Sequence, residues 1–172
     1  MKKKLLFAAG LAILVVLFWF AYYAVSPLFR NIQTDEPLPQ AEMTNETPMA
    51  DPMPGVLPNT SEDVEPIISP AVRVVDTPIH PAEGDVRLVS VGNKMYVRYE
   101  NFKTINGPDL YVYLSKDIDA KEFVNLGRLK STEGNSNYEI PAGTNVEDYQ
   151  YVLVWCDAFS VLFNAADIST IR

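Results

Sequence analysis

Twenty-one consecutive uncharged residues, Leu5 to Val25, follow the lysines Lys2, Lys3 and Lys4. At 1.5 Å rise per residue such a run makes a helix about 31 Å long, one hydrocarbon thickness. Only a helix or a closed barrel hides its backbone polar groups in lipid. The run is therefore predicted to be a transmembrane helix over 5–25, behind a basic tip at 1–4. Trp19, Tyr22 and Tyr23 fall near its outer end, where an aromatic belt is expected. A cleavable signal peptide is the alternative, but its apolar region is shorter, about 7–15 residues, and ends in small residues. Cleavage after Ala24 would put Tyr22 where a small residue is wanted. No cysteine follows the run, which excludes a lipoprotein anchor. Three lysines precede it and only Arg30 lies close behind. The positive-inside rule then predicts a single-pass protein of the cell membrane, N-terminus cytoplasmic, with the C-terminal domain outside the cytoplasm.

Residues 26–70 read as a tether. The segment holds nine of the chain's 13 prolines, and from Asn31 to Pro70 it carries eight acidic residues and no basic ones. Periodic hydrophobicity is missing. Such a segment buries too little surface to offset its ordering entropy, so it is predicted to be disordered. Extended as polyproline II it would reach up to roughly 140 Å, enough to hold a domain off the membrane or across a wall layer. Asn45-Glu46-Thr47 and Asn59-Thr60-Ser61 fit the N-glycosylation pattern.

Residues 71–172 read as strands. Val86 to Val91 alternates, Gly92-Asn93 supplies a two-residue turn, and Lys94 to Phe102 follows with Met95, Val97 and Tyr99 on one face and Tyr96, Arg98 and Glu100 on the other. Asn106-Gly107-Pro108-Asp109 is a turn before the strand Leu110–Ser115. Leu126 to Leu129 and Tyr138 to Pro141 are short strands, with a turn at Gly134-Asn135 between them. Tyr151 to Cys156 is apolar on both faces, as a central strand would be. Ala158 to Phe163 is predicted to be the last strand, with Phe159, Val161 and Phe163 on one face. Ile118 to Val124 hints at a helical turn. Many short strands separated by turn residues predict an all-β fold, an antiparallel β-sandwich.

Composition narrows the function. The chain's net charge is -8, which excludes a nucleic-acid binder of the usual basic kind. The 71–172 segment carries 10 Lys or Arg against 14 Asp or Glu, so most of the acidity lies in the tether. One cysteine excludes an intrachain disulfide, and one histidine with one cysteine excludes the common zinc sites. His80, the only imidazole, reads as a solvated loop residue in Pro78-Ile79-His80-Pro81. Asp85, Asp109, Asp117 and Asp119 do not form the dense alternating loop that calcium needs. No acid–base pair stands at recognisable spacing, so the chain does not read as an enzyme by itself.

Two features remain. Cys156 ends an apolar strand, where a buried thiol behaves as a small hydrophobe. An exported, unpaired thiol is also exposed to oxidation unless it is buried, bound or used. The domain is dense in aromatics, among them Tyr111, Tyr113 and Trp155, which predict either core packing or an apolar pocket for a flat cofactor.

Asn106-Gly107-Pro108-Asp109-Leu110-Tyr111-Val112-Tyr113-Leu114-Ser115 resembles the signature of the DM-thirteen domain, an electron-transfer family. Leu126-Gly127-Arg128-Leu129-Lys130, Tyr138-Glu139-Ile140-Pro141, Val154-Trp155-Cys156 and Ala158-Phe159-Ser160-Val161-Leu162-Phe163 agree in order and spacing, so the likeness covers roughly Glu83 to Ala165. The resemblance implies a small all-β module outside the cytoplasm, with redox chemistry at Cys156, as a bare thiol or as ligand to a group such as haem. Trp155, Tyr111 and Tyr113 would then wall the cofactor. It also implies a redox or cell-surface protein as partner, because the animal module is similar to one found beside haem-binding domains. The competing expectation is a non-catalytic interaction or adhesion module with Cys156 structural.

Overall fold

The computed structural model describes residues 2–40 and 65–172, without the side chains of 2, 5, 6, 8, 9, 28 and 29. Asn45 and Asn59 lie outside the described residues.

Helix α1 runs Lys2–Val25, and a 3-10 turn at Ser26–Phe29 ends it. Its side chains are described without a break only from Gly10 onward. Among the described residues no helix is long and apolar enough to cross a membrane. What the fold establishes at 2–25 is a helix.

The strands are β1 (Gln33–Asp35), β2 (Ile67–Ile68), β3 (Val72–Arg73), β4 (Val75–Asp76), β5 (Ala82–Val91), β6 (Lys94–Thr104), β7 (Leu110–Ser115), β8 (Phe123–Arg128), β9 (Glu133–Ile140), β10 (Tyr151–Cys156) and β11 (Val161–Asp167). They form two sheets. The first has the order β1-β9-β6-β5-β2, with β3 also on β5; the second has the order β4-β11-β10-β7-β8. All pairs are antiparallel except β1 with β9. The chain changes sheets between β3 and β4, at the buried Val74.

The period-two pattern fixes what meets in the middle. Val86 and Leu88 of β5, Val97, Tyr99 and Phe102 of β6, and Tyr138 and Ile140 of β9 line one wall. Leu110, Val112 and Leu114 of β7, Val152, Val154 and Cys156 of β10, and Phe163 of β11 line the other. The predicted β-sandwich is the observed architecture. Gly92 makes the β5–β6 turn with φ +60°, a conformation glycine adopts without a Cβ penalty.

Three local expectations are corrected. Gly134-Asn135 is not a turn but lies inside β9. The last strand begins at Val161 rather than Ala158, because Asp157–Ser160 is a turn with Ser160 at φ +52°. The expected helical turn at 118–124 is a loop that leads into β8; the Asp117 carboxylate holds it by accepting from the backbone N–H groups of Asp119, Lys121 and Glu122.

The expected disorder over 26–70 is corrected at both ends. β1 adds to the edge of the first sheet along β9, and β2 adds to its other edge on β5. The physical reason is a set of specific partners that composition cannot reveal. Arg98, only 6% exposed, donates to the carbonyl oxygens of Glu36 and Pro37 at 3.0 and 3.1 Å. Glu36 in turn accepts from the Asn137 backbone N–H at 2.8 Å and from Lys130 Nζ at 3.0 Å. Asn31 to Pro37 is therefore a strap on the domain, while 41–64 lies outside the described residues.

Candidate functional site

Cys156 is the last residue of β10, paired with Leu110 of β7 on one side and Val161 of β11 on the other. Strand alternation turns its side chain into the core, where it is 0% exposed. The thiol donates to the carbonyl oxygen of Pro108 at 2.9 Å. The turn Asp157–Ser160 follows it directly, and the backbone N–H groups of Phe159 and Ala158 in that turn favour negative charge on the sulfur. Burial pushes the thiol pKa up; the two amides oppose that, and the carboxylates of Asp109 and Asp157 reinforce it. The thiol is thus protonated near neutrality, yet it sits against two donors that would hold a thiolate once one formed.

Trp155 precedes Cys156 and therefore points to the opposite face of the sheet. There it pairs with Tyr111 and Leu162, in a second apolar layer that includes Tyr113 and the fully buried Leu153. Tyr113 stacks on Phe123 at 4.0 Å between ring centroids and hydrogen-bonds the Asp157 carboxylate. Burial first, and then Asp157, raises the Tyr113 phenol well above its ordinary range. Arg128 lies over the Tyr111 ring at 5.3 Å and donates to Asp109 at 2.5 Å.

This placement corrects the expected pocket. Cys156 belongs to the core, whereas Trp155, Tyr111 and Tyr113 belong to the outer face, so the four do not line one cavity. A flat prosthetic group on Cys156 does not fit, since the sulfur has no open side and the aromatic walls lie behind the sheet. His80 is also unlike the solvated residue expected. It is half-buried, bridged to Thr77 at 2.8 Å and stacked on Phe163 at 3.9 Å. Burial lowers its pKa, against a backbone hydrogen bond at Leu162. Among the described residues no group of three or more His, Cys, Asp or Glu side chains is placed to hold a metal ion.

Sequence reasoning missed the contacts of α1 with this end of the sandwich. The Tyr23 hydroxyl donates to Asp109 at 2.7 Å, and Phe20 meets Phe159 edge-on at 6.3 Å. With Arg128, Tyr23 holds the Asp109 carboxyl below the usual carboxylate range. The Trp-Tyr-Tyr cluster of the helix was the available signal, but nothing local to it names a partner 86 residues away.

No curated protein and no solved structure matches the chain. The family model described as Electron transfer DM13 matches residues 74–168, more than half of the chain and all of the strands β5 to β11. The two-sheet module that encloses Cys156 is that family's domain, and the chain belongs to the Electron transfer DM13 family.

Proposed function

We propose that the chain is a membrane-anchored electron-transfer module displayed outside the cytoplasm, with the Cys156 thiol as its redox group. The observation that carries the reading is the sulfur's setting, at the end of β10 next to the surface turn Asp157–Ser160 whose Ala158 and Phe159 amides favour a thiolate, inside a domain of an electron-transfer family. A lone thiol can exchange with a partner's disulfide. The Cys156 thiolate attacks one partner sulfur, the partner S–S bond breaks, a mixed disulfide forms, and the second partner sulfur leaves as a thiolate that takes up a proton. The turn beside the sulfur must open first.

Anchoring is supported by the sequence 5–25 and by the way α1 is displayed. Its backbone is 24 residues long, about 36 Å at 1.5 Å rise. From Leu11 to Tyr23 its apolar side chains are exposed on every side, Phe18 at 73% and Trp19 at 69% among them. A helix that is apolar all round and, among the described residues, meets its own domain through Phe20 and Tyr23 is suited to lipid rather than water.

A second reading keeps Cys156 as a structural residue of an interaction module, and the 0% exposure with the bond to Pro108 favours it. Thiol labelling in the folded, membrane-bound protein separates the two. Slow but complete labelling without unfolding, together with a trapped mixed disulfide that Cys156→Ser abolishes, supports the redox reading. A thiol that reacts only at the rate of global unfolding refutes it.

A further inference from the structure

The loops of the sandwich divide between two ends, and among the described residues α1 meets one of them, through Phe20 and Tyr23. At that end lie Thr77–Pro81, Ile105–Asp109, Leu129–Thr132 and Asp157–Ser160. The pairings that gather them are Cys156 with Leu110, Asn164 with Asp76, and the hydrogen bonds Leu129 N–H to Leu110 O and Thr104 N–H to Thr132 O. The Gly92-Asn93 turn lies at the other end, since β6 starts there beside the end of β9.

Three large apolar side chains stand exposed at the first end: Ile79 at 76%, Phe159 at 44% and Val161 at 37%. Ile79 tips the turn in which Thr77 and His80 pair, and Phe159 tips the β10–β11 turn. The charge at this end is mixed, with Arg128 paired to Asp109, so nothing here selects a strongly charged partner.

The helix says what covers these tips. Phe159 packs on Phe20, which lies five residues before the helix end at Val25. Five residues are about 7.5 Å along the axis, so the tip hangs below the outer end of the apolar segment. The connection allows little else. One 3-10 turn follows the helix, the Arg30 carbonyl already accepts from Asn106 Nδ2 at 3.0 Å, and Ile32 bonds to Thr132.

From this geometry we infer that the end of the sandwich bearing Ile79, Phe159 and Val161 docks into the interfacial layer of the lipid bilayer. The inference rests on the proposed anchoring of α1. The acidic tether then does not hold the domain away from the membrane; residues 26–32 hold it down, and the Cys156 end faces lipid. Tips of this kind bind by apolar burial, so their contact is insensitive to salt.

The test uses the full chain in zwitterionic lipid nanodiscs. Nitroxides are placed at Ile79→Cys, Phe159→Cys and, as a control at the far end, Asn93→Cys, each in a Cys156→Ser background. The expected result is collision with a water-soluble nickel chelate several-fold lower at 79 and 159 than at 93, unchanged by high salt. Hydroxyl-radical footprinting of the unsubstituted chain gives the same information without a variant: Ile79 and Phe159 are oxidised several-fold less than their exposure allows. Equal accessibility at all three positions, or full oxidation of both tips, overturns the inference. An alkaline carbonate wash separates the two failures. A chain that washes off refutes the anchoring, whereas a chain that stays with exposed tips refutes only the docking.

Discussion

The Cys156 thiol donates to the carbonyl oxygen of Pro108 at 2.9 Å, joining the end of β10 to the turn that precedes β7. The bond closes over a residue with no solvent exposure, so it sets both the stability and the chemistry of the sulfur. Cys156→Ala should lower the stability by about 1–2 kcal/mol, from the lost hydrogen bond and lost packing. Cys156→Ser retains a donor toward Pro108 and should cost less. Urea unfolding checks both; equal losses would mean that the bond contributes nothing.

Cys156 also predicts a pH dependence. Its folded pKa is raised above the ordinary 9.0, by burial first and by Asp109 and Asp157 after it. Its contribution to stability is therefore complete below pH 9.0 and is lost as the pH rises through the higher folded value. Thiolate absorbance of the folded protein should appear only above pH 9.0. A midpoint below that value would show that the amides of Ala158 and Phe159 outweigh burial.

Arg98 ties the strap to the first sheet. It bonds Glu100 at 3.0 Å, Asn137 at 2.9 Å, and the two carbonyls of Glu36 and Pro37. Arg98→Ala should cost about 2 kcal/mol, since it leaves those partly buried acceptors without their donor and Glu100 half-paired. Arg98→Lys should recover only part, because an ammonium lacks the planar fork. Burial raises the Glu100 pKa, but Arg87 and Arg98 overcome it and leave it below the ordinary 4.5. Glu100 should therefore stabilise the fold fully above pH 4.5, and that share should be lost as the pH falls through its lower folded value. Acid unfolding of the wild type and of Glu100→Gln, compared, measures it.

Gly134 admits the strap. Its φ is +105°, and a Cβ there would lie 2.0 Å from the Thr34 carbonyl oxygen. Gly134→Ala should therefore expel β1 at a cost on the order of 2 kcal/mol. Hydrogen exchange should then show Gln33–Asp35 unprotected while β5 and β6 keep their protection. Equal loss across both sheets would mean that the strap does not separate from the domain.

Tyr99 and Tyr113 should ionise late. Burial raises both, with Tyr138 adding to Tyr99 and the Asp157 carboxylate adding to Tyr113. Their share of stability is complete below pH 10.0 and falls as the pH rises beyond it. In a phenolate titration these two should appear late, together with the buried Tyr138, and Tyr113→Phe should remove one phenol from that late step. A single early step for every tyrosine would contradict the buried placement.

The sequence by itself determined the strand content, the sandwich and the family. Each is written in local patterns: alternation of period two, the Gly92-Asn93 turn and the block from Asn106 to Ser115. Tertiary structure alone decided which face each side chain of β10 takes relative to the rest. Trp155 and Cys156 look like one site in sequence, and the pleat puts them on opposite sides of a sheet. It also decided that the beginning of the tether is a strand, because Arg98, Asn137 and Thr132 lie 61 to 101 residues from the groups they hold. Contacts of that reach arise only when distant strands are already side by side. The seat of Phe159 on Phe20 is of the same kind, a consequence of where a chain end lands on a finished fold.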